Sequence, residues 1–234
     1  MRITTSRVSE SLLELIDEGM IIGLGSGRTV SALLDELIDI LNDKGVSMKS
    51  LRFIPTSLQI KLRAEHLGLN IADDSLIPYI NLVIDGADQI DEYMNMIKGG
   101  GGALLREKVL IHATRRLVIV ADESKYVDRF DMPIPVEVLP YARSYVINVL
   151  KSEFMADTSI RVNERGYPVV TENGNIIIDA KIDMKKYYDE NRGLSELENR
   201  MKCIAGVMET GLFTRHANIY YRIMKDGSTE VIYT

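Results

Sequence analysis

The sequence has no tryptophan, a single cysteine (Cys203), only three histidines and no surplus of basic residues. A lone cysteine forms no internal disulfide, and without a CxxC pair or CxxxH spacing there is no zinc signature. Lys and Arg number 28 against 34 Asp and Glu, a formal net charge of −6. Nucleic acid and anionic membrane surfaces are bound by basic stripes, so neither is an expected partner. An anionic ligand must be held by a local arrangement, because the overall field repels it. Long apolar runs are missing as well. The opening MRITTSRVSESLLELIDEGM has no uninterrupted apolar h-region or small-residue cleavage site, and no window approaches the length of a membrane span. These absences imply a cytoplasmic protein without a membrane segment.

What remains is ordinary globular material: 234 residues, 46% hydrophobic and 26% charged, ample for a buried core and for one large domain with a smaller partner. Met20–Leu24 is a short apolar run that stops at Gly25-Ser26-Gly27. Val30, Leu33, Leu34, Leu37, Ile38 and Leu41 follow with the spacing of one helical face. The strand–turn–helix unit recurs. Predicted strands at Leu51–Ile54, Ile80–Ile84 and Leu117–Val120 alternate with predicted helices at Leu58–Leu69 and Ala103–Thr114. Such alternation predicts an α/β fold, a Rossmann-like, mostly parallel sheet with helices on both faces.

Proline is scarce, yet three of the six prolines fall in Met132–Pro140, which reads as a crossing between domains. A helix over Ala142–Ser152, strands at Tyr167–Thr171 and Asn175–Ala180 around Asn173-Gly174, and a helix over Leu194–Lys202 follow. The expected division is a catalytic domain of residues 1–130 and 208–234, with the tail returning as one or two strands, and a small α+β domain of residues 131–207.

Four polar segments each follow a predicted parallel strand: Gly25–Gly27, Thr56-Ser57, Asp85–Asp88 and Asp122–Lys125. In open α/β sheets that carboxyl edge is where ligands bind. Gly23-Leu24-Gly25-Ser26-Gly27-Arg28-Thr29 can bring backbone amides and hydroxyls to a phosphate. It is neither a Walker loop nor GxGxxG, and it equally fits a tight turn with a Ser or Thr cap. Asp85-Gly86-Ala87-Asp88 can accept bonds from sugar hydroxyls, relay protons or hold Mg²⁺; Asp91 and Glu92 beyond it suit a solvated acidic cap. Lys98 precedes four glycines, Gly99–Gly102, whose conformational freedom is costly to freeze. Their place before a helix favours amides facing a ligand, with Lys98 at a developing oxyanion.

Glu107 is the sharpest single residue. Ala103, Leu104, Leu110 and Ile111 lie within about 60° of it around its helix. A carboxylate in an apolar stripe loses hydration, which makes such a group a stronger base. Arg106 and Lys108 flank that face, and a surface Glu paired with either of them is the alternative. Leu105 and Val109 on the other side predict a helix buried on two faces. His66, His112 and His216 share no spacing and read as surface or capping residues.

With these motifs in order, the sequence resembles the ribose-5-phosphate isomerase A family. GLGSGRT, DGADQID, IKGGGGALLREK, ADESK and PIPVEV, then TENGNIIID and GLF, correspond to that family's blocks from about Met20 to Phe213. The resemblance implies a Rossmann-like domain with a smaller, ferredoxin-like α+β domain, no cofactor, no metal, and assembly as a homodimer or homotetramer. It implies a sugar phosphate substrate and interconversion of ribose 5-phosphate and ribulose 5-phosphate in the pentose phosphate pathway. It makes Glu107 the base, and Asp85 and Asp88, with Gly86 and Ala87, the contacts to the sugar. Lys98 with Gly99, Gly100 and Gly101 becomes the oxyanion segment, and Ser26, Gly27, Arg28 and Thr29 with Lys125 the phosphate side. Two departures stand out. Arg28 replaces a usual serine, and a usual lysine is missing near Thr5–Arg7, which offers only Arg7. Arg28 would then supply the missing cation, unless it points outward. Two competing readings are an amino-sugar phosphate deaminase, which calls for a further acid–base group such as histidine, and a non-catalytic sugar-phosphate sensor.

Overall fold

The computed structural model describes residues 6–43, 49–188 and 193–234. In chain order the elements are α1 (Ser6–Leu13), β1 (Ile21–Leu24), α2 (Arg28–Asp43), β2 (Arg52–Pro55), α3 (Leu58–His66) and β3 (Leu82–Asp85). Next come β4 (Gln89–Ile90), β5 (Met96–Ile97), α4 (Leu104–Ala113), β6 (Leu117–Asp122), β7 (Ile134–Val138), α5 (Arg143–Phe154), β8 (Asp157–Ile160) and β9 (Ile176–Lys181). The chain ends with α6 (Lys185–Tyr188), α7 (Gly193–Lys202), β10 (Val207–Thr210), β11 (Leu212–Phe213), β12 (Ile219–Ile223) and β13 (Thr229–Tyr233). They form two compact units. One comprises the chain up to Ala87, Arg106–Ser124 and Ala217–Thr234; the other comprises Asp88–Leu105 and Lys125–His216.

The first unit is built on a six-stranded sheet in the order β13-β12-β6-β3-β1-β2. All neighbours are parallel except β13, which pairs antiparallel with β12. Its central strands are buried along their length, and a strand covered on both faces reads as a continuous apolar run, as β1, β3 and β6 do. The α2 stripe, Val30, Leu33, Leu34, Leu37 and Leu41, is buried with α1 and α3 against one face. Each such side chain stabilises the fold by about 1.5–3 kcal/mol relative to exposure. On the other face Leu110 of α4 lies against Gly23 of β1.

The second unit runs β7-α5-β8-β9-α7-β10, a βαββαβ order whose antiparallel sheet is arranged β10-β7-β9-β8, the ferredoxin-like pattern. Ile134, Val136 and Val138 alternate along β7, as do Ile176, Ile178 and Ala180 along β9, and they form one core with α5 and α7. The opposite face carries the intervening residues Pro135, Glu137, Ile177 and Asp179. Glu137 is fully buried there, and its Oε1 accepts bonds from Thr171 Oγ1 (2.8 Å), Asn173 Nδ2 (3.0 Å) and Asn175 Nδ2 (2.8 Å). It thereby pins the Thr171–Asn175 turn.

The compact units divide the chain differently from the expected boundaries at 131 and 207. Residues 88–105, 125–130 and 208–216 pack with the second unit because their backbones pair there. β5 pairs antiparallel with β11, the Val127 N–H donates to Ile90 O, and β10 pairs with β7. The proline-bearing crossing is itself β7, an interior strand buried throughout. Pro135 is tolerated because its carbonyl accepts the Gly211 N–H on the β10 side, beyond the last ladder pair at Val136. Its missing N–H faces the same side and breaks no rung. The expected strand at Tyr167–Thr171 is reduced to isolated bridges, Val162 with Pro168 and Val170 with Ile176. Tyr167 and Val170 are exposed and have no face to bury. The Asn173-Gly174 turn does form, with Gly174 at φ 77° donating to Thr171 O. Asp91 is a further correction. Instead of a solvated cap it is buried, accepting from the Tyr93 and Asn95 amides, Asn95 Nδ2 and the Tyr188 hydroxyl. Burial pushes its carboxyl above the usual range, against the pull of those bonds.

Candidate active site

In the first unit the strand ends gather hydroxyls, amides and a carboxylate. β1 and β2 are parallel neighbours, so the residues after them emerge side by side. Thr56 follows β2; its N–H and Oγ1 both donate to Leu24 O (3.0 and 2.9 Å). Ser26 Oγ lies 2.8 Å from Thr56 Oγ1 and donates to Ser57 Oγ at 2.7 Å. Ser57 in turn caps α3 by accepting the Ile60 N–H. Three hydroxyls therefore meet where α2 and α3 begin, and helix N-terminal amides beside hydroxyls suit a phosphate dianion. Gly27 supplies the left-handed turn into α2 at φ 100°, donating to Gln59 Oε1. Thr29 is half-buried in the first turn of α2. Arg28, at the first position of that helix, is exposed and has no ion-pair partner among the described residues. Thr5 lies outside the described residues, and so does the side chain of Arg7.

Asp85 ends β3 beside β1 and is fully buried, its Oδ1 accepting the Gly86 N–H at 2.7 Å. Gly25 donates its N–H to Ile84 O, and a Cβ at Gly25 would collide with the Asp85 carboxylate. The tight turn after β1 is thus the close approach that lodges Asp85. Glu107 lies in the first turn of α4, three residues before Leu110, and is only 5% exposed. Ala103, Leu104, Leu110 and Ile111 are buried as expected, and Glu107 is buried among them and not at the surface. The expectation of a second apolar face fails. Val109 is 44% exposed, while Lys108 is buried in its place. Lys has a long apolar stem that covers surface a Val cannot reach. His66, His112 and His216 are all exposed.

In the second unit Asp88 Oδ2 accepts the Gly100 N–H at 2.7 Å, and the Asp88 N–H donates to Ile97 O at 2.8 Å. Lys98 is 3% exposed, its N–H donates to Gly211 O, and its ammonium lies 5.6 Å from the centre of the Phe213 ring. Gly99 (φ 100°) and Gly102 (φ 80°) turn the loop, closed by the Gly102 N–H on Gly99 O. Asp88, Lys98 and the glycines are thus brought together. Lys125 is half-buried in a single turn, Glu123–Lys125, after β6. Among the described residues no three His, Cys, Asp or Glu side chains are grouped to hold a metal ion.

The family model for ribose 5-phosphate isomerase A (phosphoriboisomerase A) matches residues 52–227. The chain belongs to this family. The ribose-5-phosphate isomerase A of Archaeoglobus fulgidus is 39% identical over 204 residues, covering 87% of each chain. Two solved structures extend the family likeness over the fold. That of ribose 5-phosphate isomerase A from Methanocaldococcus jannaschii has a TM-score of 0.85 at 31% identity, covering 98% of both chains. That of a D-ribose-5-phosphate isomerase in complex with phospho-erythronic acid has a TM-score of 0.88 at 31% identity, covering 100% of both. The family is one of isomerases, and the two-unit α/β architecture is its fold. Sequence reasoning placed the family's motif residues but gave Thr56 and Ser57 no role beyond a polar strand-end loop. Their position directly after a strand, next to a hydroxyl-bearing glycine turn, was the available signal.

Proposed function

We propose that this protein interconverts D-ribose 5-phosphate and D-ribulose 5-phosphate, without a cofactor, in the non-oxidative pentose phosphate pathway. The observation that carries the reading is Glu107, a carboxylate held 5% exposed on a helix that follows directly on Lys98 and four glycines. Isomerisation needs a base that takes the C2 proton of the open-chain aldose and returns it to C1, and Glu107 fills that role. The electrons left behind form an enediolate, whose oxyanion Lys98 and the amides of Gly99–Gly101 stabilise. Asp85 and Asp88, with the Gly86-Ala87 backbone, contact the sugar hydroxyls and assist ring opening. Ser26, Gly27, Arg28 and Thr29, with Lys125, hold the phosphate. The ligand of the related complex, phospho-erythronic acid, is itself an acid phosphate, and its carboxylate carries negative charge like the enediolate. The proposal extends to a cytoplasmic homodimer or homotetramer, supported by the family resemblance. Among the described residues no helix is long and apolar enough to cross a membrane.

Purified protein is expected to form ribulose 5-phosphate from ribose 5-phosphate in a coupled assay, unchanged by EDTA. Binding of the sugar phosphate without turnover would favour the sensor reading, and release of ammonia from an amino-sugar phosphate would favour the deaminase. Loss of activity in EDTA would return the Asp85–Asp88 pair to metal binding.

Arg28 is proposed as the phosphate's fork-shaped cation, since an exposed guanidinium at a helix N-terminus can take two phosphate oxygens at once. Arg28→Ala is expected to raise KM for ribose 5-phosphate by about tenfold with little change in kcat. An unchanged KM would mean that the side chain serves only the surface.

A further inference from the structure

Arg161, which lies outside the blocks that carry the resemblance, bears on the glycine loop. Arg161 follows β8, its N–H donating to Ile177 O on β9. Its guanidinium forks onto Asp179 of β9, with Nε donating to Oδ2 at 2.9 Å and Nη2 to Oδ1. The same guanidinium reaches the glycine loop, where Nη1 donates to Gly99 O at 2.7 Å and to Gly100 O at 3.0 Å. Both groups of the pair are mostly buried, with side chains 18% and 21% exposed. A Cβ at Gly99 would lie 3.4 Å from Pro135 Cβ, so the loop rests on the sheet face that α5 and α7 leave uncovered.

The geometry of the peptide unit gives this clamp a consequence. In a trans peptide the C=O and the following N–H point in opposite directions. Drawing the Gly99 and Gly100 carbonyls to one guanidinium turns the N–H groups of Gly100 and Gly101 the other way, together. Successive amides pointing the same way form an anion-binding concavity. The first of them already holds a carboxylate, Asp88 Oδ2. Without the clamp, consecutive glycines have many peptide orientations open to them, and an amide that must reorient during reaction stabilises charge poorly.

We propose that Arg161, anchored by Asp179, is the positioning residue that sets the Gly100 and Gly101 amides for the oxyanion of the reaction. The inference rests on the isomerase reading above. It gives the small domain a part in the chemistry, since both β8 and β9 contribute to the clamp. Arg161 acts through the loop, and its effect falls on the step in which charge develops.

The test compares wild type, Arg161→Met, Arg161→Lys and Asp179→Asn for kcat, KM, thermal midpoint and affinity for phospho-erythronic acid. Arg161→Met is expected to lower kcat about ten- to a hundredfold while KM for ribose 5-phosphate changes less than about threefold. Affinity for phospho-erythronic acid should fall with kcat, because the acid presents the charge that the amides meet. Arg161→Lys keeps the charge without the fork and should recover only part of the loss. Asp179→Asn leaves the guanidinium but loosens its anchor, and should lower kcat severalfold; it decides the matter should Arg161→Met fail to fold. A kcat within twofold of wild type in the folded variants overturns the proposal, as does a rise in KM alone or a loss that merely follows the thermal midpoint. If wild type itself does not isomerise ribose 5-phosphate, the reading of the reaction fails instead, and the clamp has no step to serve.

Discussion

Glu107→Gln is expected to lower kcat by about a hundred- to ten-thousandfold, the range general-base catalysis contributes. Glutamine keeps the shape and the acceptor oxygen of glutamate but cannot take a proton. The site should therefore still bind the sugar phosphate, with KM changing less than about threefold. Leu104, Leu110 and Ile111 anchor α4 whatever occupies position 107, and a neutral residue in its first turn forgoes about 0.3–1 kcal/mol of helix-dipole attraction. Steady-state kinetics should be joined by deuterium exchange from solvent into the sugar, which reports proton transfer even when net turnover is slow. Exchange should vanish with turnover. Near-normal turnover in the variant would mean that another group carries the proton.

Much of the first unit was legible because its signals are local. Buried parallel strands read as apolar runs, and the α2 stripe from Val30 to Leu41 repeats every three or four residues. What could not be read depends on partners distant in sequence. Met96-Ile97 carries no mark that it pairs with Leu212-Phe213, yet that ladder draws residues 88–105 into the second unit. Asp91 looks like any surface acid until Tyr188 donates to it. On α4 the pattern misled in a different way, since Lys108 is buried where apolar Val109 is exposed. The motif residues came from the resemblance, which compares blocks in order. Arg161 has no local pattern that points to Gly99, about sixty residues earlier, and its role appears only once the small sheet is folded beneath the loop.

Gly25→Ala is expected to remove most of the activity and to destabilise the fold, through a single methyl group. That methyl would occupy the space of the Asp85 carboxylate, which is fully buried at the end of a strand flanked by β1 and β6. Either Asp85 must leave its bond to the Gly86 amide, or the turn carrying Ser26, Gly27 and Thr29 must move away from the strand end. Both routes displace groups assigned to the substrate, so kcat/KM should fall by about a hundredfold or more, as misplacement of about an ångström does elsewhere. Overpacking of this kind costs about 1–3 kcal/mol, and the thermal midpoint of a protein this size should drop by several degrees. A double-mutant cycle separates the cause from general damage. In an Asp85→Gly background the three atoms nearest the methyl, Asp85 Oδ1, Cγ and Cβ, are all gone, so adding Gly25→Ala should cost little further stability, whereas independent effects would simply sum. Wild-type kcat/KM in Gly25→Ala, or additive losses in the double variant, would show that the turn does not lodge Asp85 and that the glycine serves the backbone alone.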